Sequence, residues 1–197
     1  MTGEYLIEGP CSVVISVQAP VIKWAKAGTG ISITDERLVI KKEEDNDDKL
    51  ATGSVQIGGE DGVREGYFEV ELTADRENED MEIMVGIVNT GLDHDTDHYS
   101  SNNAWYLRAG SGSLFGNGKS GDDEQGELKV GDKVGVLVDL DGGEGGDGGS
   151  VRFFVNGSEY GSGFKSGVTG PVVLGVELYA QGQIVTLLPD AQKPAGL

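Results

Sequence analysis

In GYFEVELT, residues 66–73, Phe68, Val70 and Leu72 fall on one side of an extended chain, and Tyr67, Glu69, Glu71 and Thr73 on the other. Apolar residues at every second position mark a strand with one buried face. KVGVLVDL repeats the pattern with Val134, Val136, Val138 and Leu140, and VRFFV repeats it with Val151, Phe153 and Val155. SVVISV (12–17), GISIT (30–34), RLVIK (37–41), MEIMVGIV (81–88), AWYLRA (104–109), PVVLGVEL (171–178) and IVTLL (184–188) are further candidates. No stretch of ten residues carries apolar positions at helical spacing between caps. Many short strands at regular spacing predict an all-β antiparallel sandwich.

Turn formers separate these runs: TDE at 34–36, YAQGQ at 179–183, and Asn156-Gly157, a pair that accepts positive φ and suits a tight hairpin. Three connections are long: 41–50, 89–103 and 116–127. Connections of that length are mobile or bind something. The Gly-rich stretch VDLDGGEGGDGGSVRFFVNG (138–157) offers Asp139, Asp141, Glu144 and Asp147 as oxygen ligands. It nearly fits the calcium-binding nonapeptide of parallel β-helices, but Gly149 stands where a large apolar residue belongs and no second copy is present to stack on it. An EF-hand loop and a phosphate loop are both excluded, since neither spacing is met. A hairpin turn accounts for the stretch better.

Composition narrows the function. The chain has 197 residues and reads as one domain, 1–197. A net charge of -19 repels phosphate backbones and anionic lipid, and no basic patch offsets it. No nucleic acid and no membrane is therefore expected among the partners. Cys11, the only cysteine, excludes an intramolecular disulfide and a cysteine zinc cluster, and its apolar neighbours predict burial. The first ten residues lack a basic segment followed by an apolar run, and no apolar stretch is long enough to span a bilayer. The expectation is a soluble, monomeric, cytoplasmic protein.

Catalytic patterns are scarce. His94 and His98, the only histidines, sit with aspartates in DHDTDH (93–98), but lack the glutamate of the H-E-x-x-H metalloprotease motif and the helix that would align them. They read as part of a solvated loop. There is no nucleophile elbow, and Glu69 and Glu71 read as outward strand residues rather than a glycosidase pair. No catalytic residue, cofactor or metal is expected. Tyr99, Trp105, Tyr106 and Tyr179 lie in or beside the loops, where aromatics serve either packing or contact.

Taken in order, GVREGYFEVEL, VGIVN, DHYSSNNAWYLRAGSGSLFGNG, VGDKVGVLVDLDGG, VRFFVNG, GSGF and GPVVLGVELYAQGQIVTLL resemble the SPRY domain from about residue 62 to 188. Trp24, GISITDERLVI and other residues of 11–58 fit the strands that precede that core. The resemblance implies a bent two-sheet sandwich of concanavalin-like jelly-roll architecture. It also implies a non-catalytic, adaptor-like module that holds a short peptide of a partner in loops at one edge. On the same footing Tyr99 of DHY is a contact residue, Leu178, Tyr179 and Ala180 of LYAQGQ form a second contact stretch, and Trp105 supports the pocket or packs in the core. The loop that supplies a basic residue in peptide-binding members is here KKEEDNDDKL. With Asp45, Asp47 and Asp48 in it, either the loop is simply solvated or the partner peptide is basic. A carbohydrate-binding lectin and a calcium-responsive domain are the alternatives.

Overall fold

The computed structural model describes residues 21–45, 47–76 and 81–195. The predicted strand 12–17 and the burial of Cys11 lie outside the described residues. The strands are β1 (Trp24–Ala27), β2 (Ile31–Thr34), β3 (Val39–Lys42), β4 (Lys49–Ile57), β5 (Glu65–Ala74), β6 (Met84–Asn89), β7 (Ala104–Arg108), β8 (Ser113–Gly116), β9 (Lys119–Asp122), β10 (Lys133–Asp139), β11 (Gly149–Val155), β12 (Ser158–Glu159), β13 (Phe164–Val168), β14 (Val172–Leu178) and β15 (Ile184–Leu187). Helical structure among the described residues is limited to two three-residue 3-10 turns, Asp35–Arg37 and Glu144–Gly146.

Two antiparallel sheets form the sandwich that the alternation predicts. The first runs β1-β4-β14-β6-β7-β8-β9. The second runs β12-β11-β10-β5-β15-β3-β2, with β13 also on β11. Register explains the core. Phe68 pairs with Val136, which pairs with Phe153, so that three apolar side chains from adjacent strands stand in one row. They meet Trp24, Ile87, Trp105, Leu107, Val172, Leu174, Val176 and Leu178 from the first sheet in one buried cluster. Burial of such side chains is the main force holding the sheets together.

The first sheet is apolar on its outer face as well. Leu50, Met84, Val88, Ala104, Tyr106 and Val173 form a second buried cluster there, with Leu92, Tyr99 and Phe115 packed on it. This is why β14 reads as a continuous apolar run, buried at all seven positions, rather than as an alternating one. The cover is loop 89–103. It leaves β6 at one end of the sheet and folds back across that outer face before entering β7.

The Gly-rich stretch is a connection between β10 and β11, as predicted, with Gly145, Gly146 and Gly148 at positive φ. Asn156 and Gly157 both take positive φ in the β11-β12 hairpin.

Candidate interaction surface

Among the connections that pass between the sheets at one end of the sandwich are β3 to β4, β5 to β6, and β14 to β15. They bring together residues far apart in sequence. The Asp45 carboxylate accepts from the Gln181 amide at 2.9 Å and from Arg76 at 3.3 Å, and the Gln181 side chain donates to the Glu43 carbonyl at 2.7 Å. Asp45, Asp47, Arg76 and Tyr179 line a recess of about 240 Å³. Tyr179 is 42% exposed, one of four large hydrophobic residues that remain exposed among the described residues. Other hollows exist, including one of about 340 Å³ lined by Leu137, Arg152, Phe164 and Lys165 on the second sheet. None of them combines an exposed aromatic with uncovered carboxylates.

The tip of the turn is held from below. Gln183, buried, accepts from the Tyr179 and Ala180 amides at 2.9 and 3.1 Å and donates to Asp75 at 3.0 Å. That contact fixes the backbone under Tyr179, so the exposed ring is presented from an ordered turn.

Loop 89–103 is not the solvated loop that its composition suggests. Leu92 and Tyr99 pack on the outer-face cluster, and the Tyr99 ring meets Phe115 edge-on with centroids 6.3 Å apart. The Leu50 amide donates to the His94 carbonyl at 3.0 Å, Thr29 to Asp95 at 2.6 Å, and Lys49 to the Asp95 carbonyl at 2.8 Å. Both histidines are used locally. His94 Nε2 lies 3.0 Å from Thr52 Oγ1, and burial pushes its pKa down. His98 Nε2 lies 2.7 Å from the Asp93 carbonyl. Among the described residues no group of three or more His, Cys, Asp or Glu is arranged to hold a metal ion.

A close approach makes this seating sensitive to one glycine. A Cβ at Gly28 would stand 2.1 Å from the His94 carbonyl oxygen, a backbone atom with no freedom to swing aside. Gly28→Ala is therefore expected to lift the loop and cost about 1–3 kcal/mol. The check is a denaturant melt together with faster amide hydrogen exchange over 92–99; an unchanged melt and exchange pattern would contradict this seating.

Beneath the loop lies a group that the sequence analysis did not single out. Glu177, fully buried on β14, accepts from the Tyr106 hydroxyl at 3.0 Å and from the His98 amide at 2.8 Å through Oε1. Burial pushes its carboxyl up to about 8. The clue available in the sequence was a glutamate inside the apolar run PVVLGVEL, where a charge has no solvent to face.

The expected contact residues therefore divide. Tyr179, Asp45 and Asp47 share one recess. Tyr99 is half-buried on the outer-face cluster, and Asp48 is half-buried nearby. Leu178 and Ala180 do not offer side chains to a partner: Leu178 points into the inter-sheet core and Ala180 is buried in the turn. Trp105 is fully buried between the sheets, on the opposite face of β7 from Tyr106, and it is Tyr106 that lies under the loop. Period two forces that division, since adjacent strand residues cannot share a face.

The comparisons agree with this architecture. The SPRY domain profile matches residues 65–190, more than half of the chain, and the chain belongs to the SPRY domain family. Among curated proteins no relative matches it. Among solved structures it is similar to the SPRY domain of human HERC1, with a TM-score of 0.68 at 16% identity over 86% of this chain and 99% of that one. It is also similar to a human SPRY domain (TM-score 0.64, 16% identity, 85% of this chain and 99% of that one) and to the TRIM65 PSpry domain (TM-score 0.62, 13% identity, 86% and 92%). At such identities the likeness is one of fold. SPRY domains are in general protein-protein interaction modules.

Proposed function

We propose that this chain is a non-catalytic module that docks a short basic segment of a partner protein at the end of the sandwich where Tyr179 stands beside Asp45 and Asp47. The recess carries the reading: an exposed aromatic on an ordered turn, flanked by carboxylates, on a molecule with a net charge of -19. A tyrosine supplies rigid contact area with a polar tip, and the carboxylates select and steer a cationic segment. Arg76, on Asp45 at 3.3 Å, is the cation that an arriving basic side chain must displace or share. Tyr99 fixes the seat of loop 89–103 on the outer face of the first sheet.

Tyr179→Ala is expected to weaken partner binding by about 2 kcal/mol, roughly 30-fold, because a binding surface with few exposed anchors concentrates its energy in them. Placing a photocrosslinking phenylalanine analogue at position 179 and mapping the adduct by mass spectrometry identifies the segment. The expected adduct lies in a short stretch rich in Lys or Arg, and affinity for that stretch falls as salt rises. Adducts confined to acidic segments, or full affinity in Tyr179→Ala, would refute the assignment. Glycan binding to the same surface, unaffected by Tyr179→Ala, would favour the lectin alternative.

A further inference from the structure

Three carboxylates from separate parts of the chain converge on the outer face of the first sheet, close to Tyr179. Glu177 pairs with Leu50 on β4 and with Met84 on β6. Asp48 lies two residues before Leu50, so the pleat puts it on the face that Glu177 occupies. Tyr179 follows Leu178, the partner of Lys49, which sets the ring in the row next to Asp48. Asp97 comes from the covering loop, immediately before the residue whose amide binds Glu177.

These carboxylates outnumber the cation near them, Lys42, which attracts Asp48 without forming an ion pair with it. Glu177 Oε2 is buried and has no hydrogen-bond partner among the described residues. Asp48 and Asp97 accept no hydrogen bond and form no ion pair among those residues. The charged groups around them are already engaged: Glu82 with Arg108 at 2.7 Å, and the buried Lys42 with the Asp47 carbonyl at 2.9 Å. His98 is bonded to the Asp93 carbonyl, and the Tyr106 hydroxyl to Glu177 itself. Burial, then Glu82 and Asp97, push the Asp48 carboxyl up to about 6, outweighing the attraction of Lys42. Burial, with Asp48 and Asp97 adding to it, raises Glu177. The crowding costs the free protein stability, and an incoming positive charge would relieve it.

We propose that Asp48 and Asp97, backed by the buried carboxylate of Glu177, receive one arginine side chain of the partner segment. This rests on the docking reading above and specifies its charged anchor. A guanidinium fits better than a metal ion, because the carboxylates are not grouped closely enough for coordination whereas a planar fork of donors reaches separate acceptors. An arriving positive charge favours the ionised carboxyls, so Asp48 and Glu177 release protons on binding, and affinity rises as pH increases through the range from about 6 to about 8.

The probe is the blocked tripeptide acetyl-Gly-Arg-Gly-amide, titrated into the 15N-labelled full chain at pH 8 and pH 5.5, with its citrulline counterpart as the uncharged control. The expected result is saturable shifts at the amides of His98, Glu177 and Tyr179, at least about fivefold tighter at the higher pH, and no saturable response to citrulline. Asp48→Asn combined with Asp97→Asn should abolish the response. Each change removes repulsion, so the double variant is expected to melt no lower than the parent. Glu177→Gln should retain weaker binding and flatten its pH dependence. An equal response to citrulline, binding independent of pH, an unaffected double variant, or saturation by calcium chloride without any response to the arginine peptide would each overturn the proposal. If Tyr179→Ala abolishes partner capture while the double variant captures fully, the docking surface stands and the arginine site falls. If neither variant alters capture, the docking reading falls, and the tripeptide titration decides the arginine site by itself.

Discussion

Between pH 5 and pH 9 the melting temperature is expected to fall by about 5–15 °C, and Glu177→Gln to remove most of that fall. Glu177 is fully buried, and its carboxyl is raised from 4.5 to about 8. A group raised on folding contributes stability that is complete below its unfolded value and disappears as pH climbs through its folded one. The loss therefore runs from about 4.5 to about 8 and amounts to about 2–4 kcal/mol. Asp48, raised from 3.8 to about 6, acts in the same direction over a lower range. Asp95, Glu43 and Asp123 are held below their ordinary values by hydrogen bonds from Thr29, Lys41 and Ser162 respectively, so their contributions are lost only as the solution becomes acidic. His94, held below its ordinary value by burial, opposes this at the acid end of the range, and above it Glu177 and the half-buried Asp48 set the trend. Calorimetric melts of the parent, Glu177→Gln and Asp48→Asn across this range provide the check. A Glu177→Gln curve running parallel to the parent would show that the carboxyl under the loop is not the titrating group.

Trp105→Ala is expected to cost about 3–5 kcal/mol, lowering the melting temperature by about 6–20 °C, without a selective effect on partner binding. The indole is fully buried in the inter-sheet cluster, and its Nε1 has no hydrogen-bond partner among the described residues. Its role is therefore to fill volume between the sheets. Removing it leaves a cavity walled by two sheets whose register forbids much collapse. Trp105→Phe should recover much of the loss, since no hydrogen bond goes with the indole. Partner affinity, measured at a temperature where Trp105→Ala remains folded, should stay within about twofold of the parent while Tyr179→Ala loses about 30-fold. A Trp105→Ala protein of normal stability that binds poorly would instead place the indole in the pocket.

The two tryptophan expectations show how far sequence reasoning reached. That Trp105 is either core or pocket support is what the SPRY resemblance implies; its burial between the sheets follows only from the side of β7 it takes. The same holds for Leu178, Tyr179 and Ala180, which resemble a contact stretch as a group. The pleat and the turn turn only Tyr179 outward, with Leu178 in the core and Ala180 buried beneath it. For loop 89–103, composition was misleading. Its aspartates and serines suggest solvent, yet Leu92 and Tyr99 anchor it to a second apolar cluster whose members come from β4, β6, β7 and β14. No local pattern contains that cluster, because each strand contributes only one or two of its residues.

By itself the amino-acid sequence determined β2, β3, β5, β10, β11 and β15 of the second sheet and β6, β7 and β14 of the first, the Asn156-Gly157 hairpin, the absence of long helices among the described residues and the acidic character of the surface. Each depends on alternation, on turn chemistry or on charge, which act between residues close in the chain. The tertiary structure alone decided that Asp45, Asp47 and Tyr179 share a recess and that Glu177 lies under His98. Those contacts join segments dozens of residues apart, through strand register and through a loop folded back on its own sheet, and only the packed molecule sets those distances.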